Sequence, residues 1–137
     1  MILIGRLNKF PMSPSVNACY INARRGRVSS PQLNAFKVNA MVWAVQNKPH
    51  LADLRQEIEP YLATHKICLD FKFKFQKKKL WAKKDQKPKK LDASNRIKAA
   101  EDKVCDLLDF DDRYVYRVIA EKIEGAVEEF DVFVYAY

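Results

Sequence analysis

Ile67-Cys68-Leu69-Asp70-Phe71-Lys72-Phe73-Lys74-Phe75 sets an apolar residue at every odd position, with Cys68, Asp70, Lys72 and Lys74 between them. Alternation of period two is the mark of a β-strand, whose successive side chains leave on opposite faces of a sheet. The odd residues predict a buried face, and Lys66 with the even residues a mostly wet one. Downstream, Ala93, Ile97, Ala100, Val104, Leu107 and Leu108 fall within roughly 100° of one another on a 3.6-residue wheel, which predicts a helix with a core-facing stripe. Asp111-Asp112 then closes a connection, Arg113 to Ile123 reads as a strand, Gly125 as a turn, and Glu129 to Tyr137 as a final aromatic-rich strand.

Upstream, Met1 to Lys9 reads as a first strand. Phe10-Pro11-Met12-Ser13-Pro14-Ser15 opens an extended loop that carries a small basic cluster, Arg24-Arg25-Gly26-Arg27. Ser30-Pro31 supplies an N-cap and a first-turn proline, so a helix is expected from there to about Lys48, ending before Pro49. A shorter helix fits Ala52 to Tyr61. Helices interspersed with strands place the chain in the α/β (α+β) class: a single domain over residues 1–137, with one mixed β-sheet packed by two main helices.

A chain of 137 residues that is 48% hydrophobic can bury one core, which excludes a disordered or low-complexity protein. No run of about 18 apolar residues exists, so no membrane span is expected. The opening residues lack a basic lead-in and a small-residue cleavage site, and a cytoplasmic protein is the expectation. Cys19, Cys68 and Cys105 are odd in number and widely spaced, against a disulfide framework or a structural zinc site. His50 and His65 have no ligand partner at helical spacing, so catalysis through histidine is not expected.

The formal charge is +8, and its location matters more than its size. Lys77, Lys78, Lys79, Lys83, Lys84, Lys87, Lys89 and Lys90 face a single acid, Asp85, so residues 77–90 are net +7 and the rest of the chain is net +1. Such a block repels itself and predicts a solvated loop at about residues 76–91. It suits phosphate contacts that release counterions. It would also serve as a solubilising loop, or as a surface for an anionic membrane or an acidic protein. Trp81, inside the block, could stack on an unpaired base or anchor the loop to the core.

Asp92, Asp111 and Asp112 fall at the ends of predicted elements. Carboxylates there could hold Mg²⁺, a hard cation that takes oxygen ligands and can activate water and stabilise a leaving phosphodiester oxygen. Plainer readings stay open beside this: Asp92 as a helix N-cap, Asp111-Asp112 as a turn, and Lys98 with Asp102 as a surface ion pair four residues apart. Asn95, Lys98 and Asp102 form a polar stripe opposite the apolar one.

Lys90-Leu91-Asp92-Ala93-Ser94-Asn95-Arg96-Ile97-Lys98, with Asp102 beyond it, resembles the central motif of the RusA family of Holliday-junction resolvases, Asp-x-Asp-Asn-x-x-Lys followed by a helix with a further aspartate. Asp111-Asp112-Arg113-Tyr114-Val115 is similar to that family's Asp-Asp-x-x-Val, and Pro14-Ser15-Val16-Asn17-Ala18-Cys19-Tyr20 to its Pro-Ser-x-Asn-x-x-Tyr loop. The blocks occur in the family's order and span most of the chain. The resemblance implies a small homodimer, often encoded by bacteriophages or prophages, that nicks opposing strands of a four-way DNA junction symmetrically with Mg²⁺, Mn²⁺ being a possible substitute. Carried over by position, Asp92 and Asp112 would be the main catalytic metal ligands, Asp111 would assist, and Lys98 would stabilise charge on the phosphate. Asn17, Arg24, Arg25, Arg27 and the eight lysines would contact DNA, while Ser94, Asn95 and Asp102 would support the ligands. Ser94 stands where the family has its second aspartate. Either the remaining carboxylates suffice, or this chain is a catalytically impaired relative that binds branched DNA without cutting it.

Overall fold

The computed structural model describes residues 1–24, 26–89, 91 and 93–137. The elements are β1 (Ile2–Pro11), β2 (Tyr20–Ala23), β3 (Gly26–Ser29), α1 (Pro31–Gln46), α2 (Lys48–Leu62), β4 (Ile67–Phe75), a single-turn α3 (Lys77–Leu80), α4 (Ile97–Leu107), β5 (Val115–Glu124) and β6 (Glu129–Ala136). The main sheet runs β1-β6-β4-β5, with β4 antiparallel to β6 and parallel to β5. A parallel pair needs a crossover connection, and the segment from α3 through α4 supplies it. The connection from Phe75 to Val115 carries the described candidate residues of the two acidic motif blocks. The class is mixed α+β, as expected.

β4 is the centre of the molecule. Ile67, Leu69, Phe71, Phe73 and Phe75 are fully buried, and Phe10, Phe130, Val132 and Val134 join them from β1 and β6. Phe71 and Phe73 stack at 5.6 Å between ring centroids, and Phe10 meets Trp43 of α1 at 4.8 Å. Burying each such side chain contributes about 1.5–3 kcal/mol. The alternate face is not the wet one expected. Cys68 is fully buried, and Lys72 is held by Glu121 at 2.7 Å and Asp70 at 3.1 Å. Lys74 is held by Asp131 at 2.9 Å and Glu129 at 3.7 Å. The cause is that β4 lies inside the sheet, where β5 and β6 bring carboxylates alongside its lysines.

Several boundaries move. The shorter helix expected over Ala52 to Tyr61 is longer, because α2 starts at Lys48 and runs to Leu62. Pro49 does not stop a helix there: it sits in the first turn of α2, where the missing N–H has no intrahelical acceptor to lose. The loop expected over residues 10–29 contains the β2–β3 hairpin, whose second strand opens at Gly26 with φ +114, a backbone region open to glycine. The strand expected from Arg113 begins at Val115, after a 3-10 turn over Asp112–Tyr114. β6 lies between β1 and β4, so the Phe130 ring of the aromatic-rich last strand fills the core.

Candidate active site

Lys98, Glu101, Asp102 and Cys105 follow one another at i, i+3, i+4 and i+7, so they share one face of α4. Ala100, Val104 and Leu108 hold the opposite face in the core. The helix ends where Asp109 takes a positive φ of 58, a left-handed step that aspartate tolerates better than most residues. The N–H of Phe110 then donates to the Cys105 carbonyl at 3.1 Å, and the Phe110 ring is buried. This reversal carries Asp111 and Asp112 back beside α4.

Asp102, Cys105, Asp106, Phe110, Asp111 and Asp112 line one shallow basin of about 220 Å³. Asp111 Oδ1 accepts the backbone N–H of Arg113 at 2.9 Å and caps the 3-10 turn that holds Asp112. That hydrogen bond is the main reason the Asp111 carboxyl lies below its ordinary range. Burial, then the negative charge of Asp112, pushes the Glu101 carboxyl up. Burial first, with Glu101, Asp112, Asp102 and Asp111 adding to it, pushes the Cys105 thiol up to about 12. The two upward shifts have burial as their first cause, and the neighbouring carboxylates at the end of α4 add to it. Lys98 Nζ donates to Asp102 Oδ1 at 3.1 Å, and this bond, helped by Asp112 and Glu101, raises the ammonium pKa.

An all-oxygen donor set under mutual repulsion matches the chemistry of a hard divalent cation. Among the described residues, no three carboxylate, histidine or cysteine groups converge closely enough to hold one alone. Asp92, Arg25 and Lys90 lie outside the described residues. The structure brings Asp102, Asp111 and Asp112 together and sets Lys98 against Asp102. Ser94 and Asn95 lie in a 3-10 turn, Ser94–Arg96, that leads directly into α4. Glu101 and Asp106 were not singled out from the sequence, although the i, i+3, i+4, i+7 spacing from Lys98 to Cys105 was the signal for Glu101.

The first motif block is fastened to the second by a reciprocal clasp. The hydroxyl of fully buried Ser13 donates to the Arg96 carbonyl at 2.8 Å, and Arg96 Nη1 donates to the Ser13 carbonyl at 2.9 Å. The Arg96 guanidinium also lies over the Phe75 ring, 5.5 Å from its centroid. This arginine, not singled out from the sequence, ties the loop to both α4 and β4. Asn17 lies exposed in a 3-10 turn over Val16–Ala18. Its neighbour Val16, with Tyr20, shares a cleft of about 320 Å³ with Lys98 and Asp102. Arg24 and Arg27 are exposed on the β2–β3 hairpin, where Arg27 lies 5.1 Å from the Tyr20 ring centroid.

The basic segment, expected as a loop, is an arm that begins with one helical turn. Lys77, Lys78 and Lys79 form α3 with Leu80, and Leu80 is buried in the core. The chain then doubles back: Trp81 bridges to Pro88, Ala82 N–H donates to Lys87 O at 2.8 Å, and Lys89 N–H to Leu80 O at 2.8 Å. Lys77, Lys78, Lys83, Lys84, Lys87 and Lys89 are exposed, while Lys79 pairs with Glu128.

No individual curated protein matches the chain. The family model of endodeoxyribonuclease RusA matches residues 10–135, a span that takes in the Pro14–Tyr20 loop, the Asp92–Asp102 block and the Asp111–Val115 block. The carboxylates gathered at the end of α4 and the clasp that joins them to the N-terminal loop thus belong to a protein of the RusA family of DNA-junction endonucleases.

Proposed function

We propose that this protein is a Mg²⁺-dependent, structure-specific endodeoxyribonuclease that resolves four-way DNA junctions by paired symmetric nicks, acting as a homodimer in the bacterial cytoplasm. The observation that carries the reading is the shared basin, where carboxylates from two separate RusA motif blocks, Asp102 from one and Asp111 with Asp112 from the other, meet. Asp92 and Asp112 would hold the cation with Asp111 assisting, and Mn²⁺ would serve in its place. Such an ion supplies Lewis-acid stabilisation of phosphodiester oxygens and an activated water.

The chain's own groups prepare that site. Asp111, fixed by the Arg113 N–H, sets the turn that carries Asp112. Lys98 is held by an ion pair whose lysine side chain is 67% exposed, so exchange of Asp102 for a phosphate oxygen costs little. The exposed lysines of the arm, with Arg24 and Arg27, would hold the polyanion that the acidic basin repels.

Paired cuts require two sites related by symmetry. The outer side of α1 suits the contact: Val38, Met41, Val42 and Val45 are exposed, and Lys37 is the only charged residue of that helix. An uncharged face can meet its own copy across a two-fold axis without like charges opposing each other.

Ser94 favours a second reading, a relative that binds branched DNA without cutting it, since a serine oxygen is a weaker, neutral ligand than the family's aspartate. A labelled four-way junction and a matched linear duplex, each incubated with Mg²⁺ and with EDTA, separate the readings. Symmetric nicks that need both the junction and the metal support the resolvase. Junction-selective binding with no cuts in Mg²⁺ or Mn²⁺, together with cutting restored by Ser94→Asp, supports the second reading. Equal binding to junction and duplex contradicts both.

A further inference from the structure

The basic arm leaves its aromatic side chain outside the core. Leu80 supplies the anchor, while Trp81 is 39% exposed, against 7% for Leu80. The arm's root is fixed at further points. Gln76 Nε2 donates to the Ala126 carbonyl at 3.0 Å, and Lys79 pairs with Glu128, both on the β5–β6 connection. Beyond that root, Trp81 and Pro88 bridge, and Gln86 turns the chain with a positive φ of 55. The indole is therefore presented by a held backbone.

A groove of about 470 Å³ runs beside the ring, lined by Trp81, Gln86 and the stems of Lys77, Lys78, Lys83 and Lys89. Its floor is indole and methylene surface, and its rim is ammonium. Among the described residues, no acid is paired with any of those four lysines. The arm's own acid, Asp85, accepts the Lys87 backbone N–H at 3.1 Å.

We infer that this groove is a binding site for an unpaired nucleobase and its flanking phosphates, with Trp81 as the stacking platform. An apolar floor inside a cationic rim fits a base that exposes its π-face between two phosphates. In an intact duplex, neighbouring base pairs cover both faces of each base, so the site selects DNA where stacking is interrupted. It rests on the reading of the protein as a DNA enzyme, and adds that the arm recognises the open strands of a branch point and not charge alone.

The test uses the full chain with two probes, a 20-nucleotide oligo(dT) and a flush 20-base-pair duplex, at several salt concentrations. Tryptophan fluorescence should fall when oligo(dT) binds wild type. Because Trp43 is buried, that change should vanish in Trp81→Ala. Trp81→Ala should weaken oligo(dT) binding about tenfold while leaving duplex binding within about twofold, and Trp81→Phe should recover most of the loss. Equal weakening on both probes, or fluorescence loss that persists in Trp81→Ala, would overturn the stacking site while leaving the DNA reading intact. Absence of salt-sensitive binding to either probe in wild type would overturn both. Wild-type binding to anionic vesicles or an acidic peptide with none to DNA would assign the groove to another class of partner.

Discussion

The acidic basin and the basic arm each gather charge of one sign and arrange it in opposite ways. In the basin, carboxylates are packed onto the end of a core helix and the turn after it, close enough to shift one another's protonation. On the arm, ammonium groups are spread over a helical turn and a doubled-back segment anchored in the core by Leu80. An added cation would relieve the repulsion in the basin, whereas the arm's charges stand apart in water, where a polyanion would meet them. On the proposed function, chemistry would belong to the basin and capture to the arm.

That division can be broken in order of expected effect. Asp92→Asn should lower junction nicking by roughly 10²–10³-fold. Gel-shift affinity for the junction should stay level or rise, since one repulsive charge is gone; loss of binding by a folded mutant would make Asp92 a structural cap. Replacing Lys77, Lys78, Lys83 and Lys89 together by alanine should reduce the log–log salt slope of DNA binding by about 3–4 units, near 0.9 for each lost phosphate contact. Thermal stability should change little, because these side chains are exposed. An unchanged slope would remove the arm from the interface.

The basin's dependence on its scaffold gives a smaller effect. Arg96→Ala removes the guanidinium half of the clasp, the bond to the Ser13 carbonyl, and should cost about 1.5–3 kcal/mol in urea unfolding. Ser13→Ala removes the other bond, from its hydroxyl to the residue-96 carbonyl, and should cost about a further 1 kcal/mol; no loss from either substitution would mean that the clasp holds nothing. The smallest effect concerns Cys105. With its thiol pushed up to about 12, it stays protonated below that pH, and roughly one part in ten thousand is thiolate at pH 8. Native protein should therefore leave Cys105 unlabelled by a thiol reagent at pH 8 and label it on denaturation. Rapid native labelling would show that the end of α4 opens.

Much of this architecture was legible before folding, and the exceptions are physical. β4 and α4 announced themselves because each has one face in the core and periodicity records which side that is. The β2–β3 hairpin did not, since all but Ser29 of its strand residues are exposed and no alternation marks them. The charged face of β4 was misread as wet because its neutralising partners, Glu121, Glu129 and Asp131, come from strands about 50 residues or more away in sequence. In the candidate site, Asp111 and Asp112 stood out as a pair and Lys98 with Asp102 by helical spacing. Glu101 drew no notice because its relation to Asp112 exists only after the reversal at Asp109. Arg96 was hidden for the same reason, its partner Ser13 being 83 residues distant.

Single-turnover nicking of a four-way junction by Asp112→Asn, at protein concentrations that saturate binding, tests the separation of cutting from holding most directly. The expected result is a junction bound at wild-type affinity and left uncut in Mg²⁺, beside a four-lysine arm variant that nicks at the wild-type rate once saturated. Wild-type nicking by Asp112→Asn, or loss of its junction binding while it remains folded, would contradict the assignment of the basin as the active site.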